Sequence, residues 1–185
     1  VRHIGPYRVL SSKAIYSNPW ISVREDHVLR PDDGTASFGI VDMKAGSTVL
    51  AIDRNSEVLL AREFKYAVER ESLELISGGI ETGESPLEAG KRELKEEAGL
   101  EAAEWVDMGV VDPFTTAIRS ANHIFLARDL TEVPRHLDPG EMLDIVRVPL
   151  SQAVQMVMSS EITHAPSCTL LLKAEKYLSR LAAEP

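Results

Sequence analysis

Residues 78–100 read GGIETGESPLEAGKRELKEEAGL, and the fold turns on how the second half of that run is taken. If Lys91–Leu100 is helical, Glu93, Glu96 and Glu97 fall within about one and a quarter turns. Like charges at i and i+4 repel. A solvated surface helix tolerates such a stack, because exposed charges are well screened. A divalent cation would instead make the repulsion the purpose of the arrangement.

The helix itself is well bounded. Ser85-Pro86-Leu87-Glu88 supplies an N-cap serine, a proline at the first helical position and a glutamate at the third. Gly99 stands where a left-handed C-terminal cap is favoured, so the spacing predicts a helix over Pro86–Ala98. At about 100° per residue, Leu87, Leu94 and Ala98 form the expected buried seam, while Glu93, Glu96 and Glu97 occupy another arc. Arg92 lies four residues before Glu96 and can pair with it, leaving Glu93 and Glu97 less compensated. Gly90, mid-helix, costs about 1 kcal/mol relative to alanine, a cost with a reason if a backbone segment or ligand approaches there. Upstream, Ser77-Gly78-Gly79 ends a predicted strand and Gly83-Glu84 leads into the cap, so the loop can fold back and aim a carbonyl at the carboxylates. Oxygen ligands of this kind suit magnesium or manganese, not zinc or copper.

The chain has 185 residues, enough for one good core or one domain with an appendage. No apolar run approaches the roughly 18 residues of a membrane helix, and the opening VRHIGPYRVL reads as neither a signal nor a transit peptide. Net charge is −9, which argues against a nucleic-acid partner. Any anionic substrate then needs local arginines, a helix N-terminus or a metal. The single cysteine, Cys168, excludes an internal disulfide, reads as a small buried hydrophobe, and fits a reducing, cytoplasmic home. His3, His27, His123, His136 and His164 show no ligand spacing and read as structural or surface residues.

The first 45 residues read as short strands, at Lys13–Tyr16, Ile21–Leu29 and Thr35–Asp42, punctuated by Asn18-Pro19 and Pro31-Asp32-Asp33-Gly34. Too few for a sizeable core, they should pack on the rest of the chain or on a partner subunit. From Ser47, STVLAID and VLLARE around residues 53–57 read as a β-hairpin, and Ser72–Ile76 as a further strand. Strands are expected near 104–111, 122–127 and 143–148, and helices over Ser151–Ser159 and Thr163–Leu181. This alternation suggests an α/β fold, a mixed sheet covered by helices.

Gly78, Glu84, Arg92-Glu93-Leu94, Glu96-Glu97 and Gly99-Leu100 together match the signature of the Nudix hydrolases without a gap. The resemblance implies a Nudix-type mixed β-sheet sandwiched between helices, with residues 46–185 as the hydrolase domain. Residues 1–45 become a small N-terminal antiparallel module serving dimerisation and substrate contacts. It implies metal-dependent hydrolysis, with Mg2+ or Mn2+ held by Glu93, Glu97 and Glu96 and by the carbonyl of Ser77. Glu84 and Arg92 would support those carboxylates.

Beyond the signature, the chain resembles the ADP-ribose and nucleoside diphosphate sugar pyrophosphatase branch, whose products are a nucleoside monophosphate and a sugar phosphate. By that resemblance Arg62 and Lys65 are candidates for phosphate contacts, against a reading as edge-strand charges. Glu141, in the turn Pro139-Gly140-Glu141-Met142, is a candidate general base, against a solvated turn charge, with Asp144 behind it. At 112–120 the chain departs from the branch: DPFTTAIRS lacks the usual acidic pair, which widens the expected substrate from ADP-ribose to other sugar nucleotides. Phe114 for base stacking and Arg119 for a phosphate are candidates there, and read equally as packing and surface residues. The resemblance also implies a homodimer. The alternatives are a non-catalytic nucleotide-sensing module, which typically loses carboxylates that this chain keeps, or action on another nucleoside diphosphate derivative.

Overall fold

A computed structural model describes residues 2–137, 140 and 142–183. The chain divides into two compact units, Val1–Ala45 with Asp112–Ala121, and Gly46–Val111 with Asn122–Pro185. Residues 112–121 therefore cluster with the N-terminal strands rather than with the segments that flank them.

Four strands open the chain: β1 (Arg2–Ile4), β2 (Tyr7–Ser17), β3 (Ile21–Leu29) and β4 (Thr35–Met43). They run antiparallel in the order written. The β2–β3 turn is tied by Asn18, whose side chain accepts the N–H groups of Trp20 and Ile21. In the β3–β4 turn, Asp33 is left-handed at φ 62°. Only Asp26 and Val28 are buried in this unit among the described residues, so the sheet has little core of its own.

The second unit begins with β5 (Gly46–Ala51), β6 (Glu57–Lys65), β7 (Arg70–Glu74) and β8 (Ile76–Gly79), then α1 (Pro86–Ala98) and β9 (Leu100–Val111). The two-residue β10 (Ile118–Arg119) returns to the first unit and pairs in parallel with β4. β11 (Asn122–Glu132), β12 (Leu143–Pro149), α2 (Leu150–Met158) and α3 (Ala165–Leu181) complete the second unit. Its strands form two sheets, β8-β5-β11-β9 and β12-β6-β7. Because β5 and β11 are parallel and the other pairs antiparallel, the first of these is mixed.

Two expectations are corrected here. The turn around residues 53–57 is present, but β5 and β6 share only the bridge Ile52–Val58 and then diverge into different sheets. The run at 72–76 is likewise two strands, β7 and β8, one in each sheet, with Leu75 at the crossing. There the Leu75 N–H leaves the ladder and donates to Ser167 Oγ at 2.8 Å. The cause is burial on both faces. Leu50, Ile52, Val58, Leu60, Ile124 and Leu126 pack with Leu170, Leu171 and Ala174 of α3 and Ala153 and Val154 of α2. The intervening Val49, Ala51, Leu59, Ala61 and Ala127 pack with Leu94 of α1. Runs buried on both faces lose the alternation that betrays a hairpin.

α1 starts and stops where its sequence says. Ser85 Oγ accepts the Glu88 N–H, the Glu88 carboxylate accepts the Ser85 N–H, and Gly99 closes the helix at φ 64°. Its buried face is only partly the expected one. Leu94 is fully buried and Ala98 packs partly buried against the same core, Leu87 is less covered, and the remaining buried residues are Ala89, Gly90, Glu93 and Glu97. Gly90 explains the rotation: a Cβ there would lie 2.9 Å from Ser47 Oγ and 3.1 Å from Val49 Cγ2. The helix thus lies directly on β5, carrying two glutamates inward. Replacing Ser85 with alanine removes the reciprocal cap and is expected to lower unfolding stability by about 1 kcal/mol, measured by urea denaturation.

Candidate active site

Glu93 and Glu97 are each only 8% exposed, so the solvated-helix reading fails for these two. Glu93 is fitted against β8, where a Cβ on Gly78 would lie 1.9 Å from its Oε1 and 2.1 Å from its Cδ. A glycine is required there because the carboxylate occupies the place of a side chain. Buried carboxylates need charge partners, and Arg92 supplies one. Its Nη1 donates to Glu93 Oε1 at 2.6 Å and to Glu96 Oε2 at 3.1 Å. Its Nε and Nη2 grip Glu84 at 2.9 and 3.1 Å, and Nη2 also reaches the Gly79 carbonyl at 2.9 Å.

The electrostatics follow from this fork. The hydrogen bonds from Arg92 hold the Glu84 carboxyl below the ordinary glutamate range, despite the burial that opposes it. Arg92 in turn is held still more firmly protonated, first by Glu84 and then by Glu93 and Glu96. Among the described residues no three His, Cys, Asp or Glu side chains gather into a ready ion site. The arginine bridges Glu93 and Glu96 instead. The donor set nevertheless fits a hard dication: three glutamates on one helix, all oxygen, two of them buried, beside a strand that leaves room for a carboxylate.

The remaining expected residues fall in several places. Ser77 and Glu97 line one small cavity of about 10 Å³ with Glu63, Lys65 and Glu74, about the room of a single water. Ser77 Oγ itself is engaged with Thr48 Oγ1 and the Leu75 carbonyl. Arg62 and Lys65 point to opposite faces of β6. Lys65 joins the Glu97 cavity, whereas Arg62 lines a separate cavity of about 330 Å³ with Phe64, Glu71, Gly140, Met142 and Asp144. Arg62 and Asp144 are cross-strand partners in the β6–β12 register. Glu141 lies outside the described residues. Phe114 and Arg119 belong to the first unit, where Phe114 is exposed and Arg119 is ion-paired with Asp42.

Glu63 and Glu74 were not anticipated from the sequence. The signal was available: Ala61, Glu63 and Lys65 alternate onto one face of a strand whose first half is buried, which turns a charged pair inward. Cys168 behaves as expected, packed at the core edge with its thiol donating to the Ile162 carbonyl and its pKa raised by burial.

With the site in view, comparison with known proteins is decisive. A NUDIX domain model matches residues 43–166, and a model described as the nucleoside diphosphate sugar hydrolase N-terminal domain matches residues 7–41. The chain belongs to the Nudix family. It is a Nudix hydrolase, and as a class these enzymes work with divalent metals. It is similar to an ADP-ribose pyrophosphatase of Bacillus subtilis, 28% identical over 85% of this chain and 86% of that protein. It is also similar to a methanol dehydrogenase activator of Bacillus methanolicus, 26% identical over 84% of this chain and 85% of that protein. A crystal structure of an ADP compounds hydrolase shares the fold with a TM-score of 0.85, 21% identity and 98% coverage of both chains. No helix among the described residues is long and apolar enough to cross a membrane.

Two outcomes follow from this geometry. Gly78→Ala displaces the Glu93 carboxylate, so turnover should fall by roughly 10²-fold while circular dichroism still reports a folded protein. The Glu84–Arg92 pair stabilises the fold above the ordinary glutamate pKa, and that stabilisation is lost as pH falls through the depressed folded value. Glu84→Gln should therefore lower stability at pH 7 and flatten the acid limb of a stability-against-pH curve obtained from urea melts.

Proposed function

We propose that this Nudix hydrolase cleaves the pyrophosphate bond of a nucleoside diphosphate sugar, with ADP-ribose the first substrate to test, releasing a nucleoside monophosphate and a sugar phosphate. The observation that carries the reading is the burial of Glu93 and Glu97 on one face of α1, Glu93 against Gly78 and bridged by Arg92 to Glu96. A structural helix has no use for two buried carboxylates, one of them fitted into the space that a strand glycine leaves. Support for the substrate class comes from the N-terminal match at residues 7–41 and from the name of the Bacillus subtilis relative.

Glu93, Glu96 and Glu97, with the carbonyl of Ser77, would hold magnesium or manganese. Such an ion supplies positive charge to the phosphoryl oxygens and acidifies or orients the attacking water. Glu84 keeps Arg92 in place, and Arg92 keeps Glu93 and Glu96 in register before the ion arrives. Arg62 brings positive charge to the roomier cavity on its face of β6 and is the candidate phosphate contact, while Lys65, a second candidate, lies among Glu63, Glu74 and Glu97 in the small one. Phe114 and Arg119 are candidate contacts for the base and a phosphate, and Glu141 is the candidate general base. A cytoplasmic homodimer completes the proposal, with the exposed Ile15, Tyr16 and Trp20 of the first unit as apolar surface available to a second copy.

The test is product analysis on a panel of nucleotide sugars, with and without magnesium. The reading predicts nucleoside monophosphate release from ADP-ribose or a related sugar nucleotide. That release should stop when the metal is chelated and fall by about three orders of magnitude or more in Glu97→Gln, as for loss of a group acting in the transition state. Metal-independent turnover, or none on any member of the panel by a folded protein, would defeat it.

A further inference from the structure

Lys65 is an unusual neighbour for a cation site. Its ammonium lies in the same small cavity as Glu97 and Ser77, and it is held there from the other side. Glu63, two residues back on β6, accepts a hydrogen bond from its Nζ, and Glu74 Oε2 stands 4.0 Å away. His164 Nδ1 stands 3.6 Å from the same carboxylate oxygen and is hydrogen-bonded to Ser167 Oγ at 2.8 Å. Ser167, wholly buried, also accepts the Leu75 N–H at the β7–β8 crossing. Burial keeps His164 below its ordinary pKa, so it serves Glu74 as a neutral ring and leaves the negative charge of Glu74 to face Lys65. Burial also works against the charge on Lys65, yet Glu63, Glu74 and Glu97 raise its pKa above the ordinary lysine value. The cavity thus places a lysine ammonium, hydrogen-bonded to Glu63 and 4.0 Å from Glu74, beside Glu97.

From this arrangement we propose that Lys65 is a resident counter-ion of the glutamate site. It neutralises part of the charge on Glu97 when no metal is bound and sets a ceiling on how tightly a dication binds. The inference rests on the reading of Glu93, Glu96 and Glu97 as metal ligands and adds a positioning residue to it. Glu63 and Glu74 have a defined task in this scheme: they hold the ammonium beside Glu97 rather than letting it swing to solvent. A site so arranged is prepared in the empty enzyme, and it binds the ion loosely enough for substrate to contribute to assembling the complex.

The experiment is titration of substrate-free protein with Mn2+, followed by electron paramagnetic resonance of the free ion. Wild type should bind saturably, and Glu97→Gln should bind much more weakly, which checks the underlying metal reading by itself. Lys65→Met removes one unit charge beside a dication and should tighten Mn2+ binding about five- to tenfold. Lys65→Gln, which keeps a polar group near Glu63, should shift the same way, and Lys65→Arg should return the wild-type value. A merely structural lysine would leave the Mn2+ affinity of folded variants unmoved. Unchanged or weaker Mn2+ binding in both neutral variants, with wild type binding normally, overturns the counter-ion role while leaving the metal reading standing. Absence of saturable binding in wild type overturns both.

Discussion

One guanidinium ties the site together. Arg92 reaches Glu84 in the loop before α1, Glu93 and Glu96 on α1 itself, and the carbonyl of Gly79 at the end of β8. Those contacts join a strand end, a loop and a helix. Burying carboxylates without such a partner costs several kcal/mol each, so the inward turn of Glu93 depends on it. The orientation of α1 follows, because the face carrying Glu93 and Glu97 is the face laid on β5 through Ala89 and Gly90.

That orientation marks the limit of what could be read from the chain. Helix ends are local chemistry, a serine, a proline and a glutamate at one end and a glycine at the other, and Pro86–Ala98 was legible to the residue. The buried face was legible only in part. A hydrophobicity pattern treats glutamate as outward-facing, so it selected Leu87, Leu94 and Ala98 and passed over Ala89, Gly90, Glu93 and Glu97. The glycines held the missing information: one cleared by Val49 and Ser47, the other by a carboxylate.

The same physics explains the misread strands. A hairpin is recognised by alternation between a wet and a dry face. Between α1 on one side and α2 and α3 on the other, Val49–Ile52 and Val58–Ala61 have no wet face. Their sheet membership is set by long-range partners, β11 for one and β12 for the other, which no window of sequence contains. Residues 112–121 are a similar case: the pairing of Ile118 and Arg119 with Val41 and Asp42 spans 77 positions and carries that segment into the N-terminal unit. Among the site residues, those in the glutamate signature were legible by pattern. Glu63 and Glu74 were not, since they enter through strand alternation and the sheet-to-sheet crossing at Leu75.

The central proposal is that the glutamates of α1, kept in register by Arg92, hold a hard dication. Anomalous diffraction at the manganese edge, from crystals grown with Mn2+, tests it most directly. The account predicts a peak among the carboxylates of Glu93, Glu96 and Glu97, with Arg92 still held by Glu84. No peak there at saturating Mn2+ would contradict it.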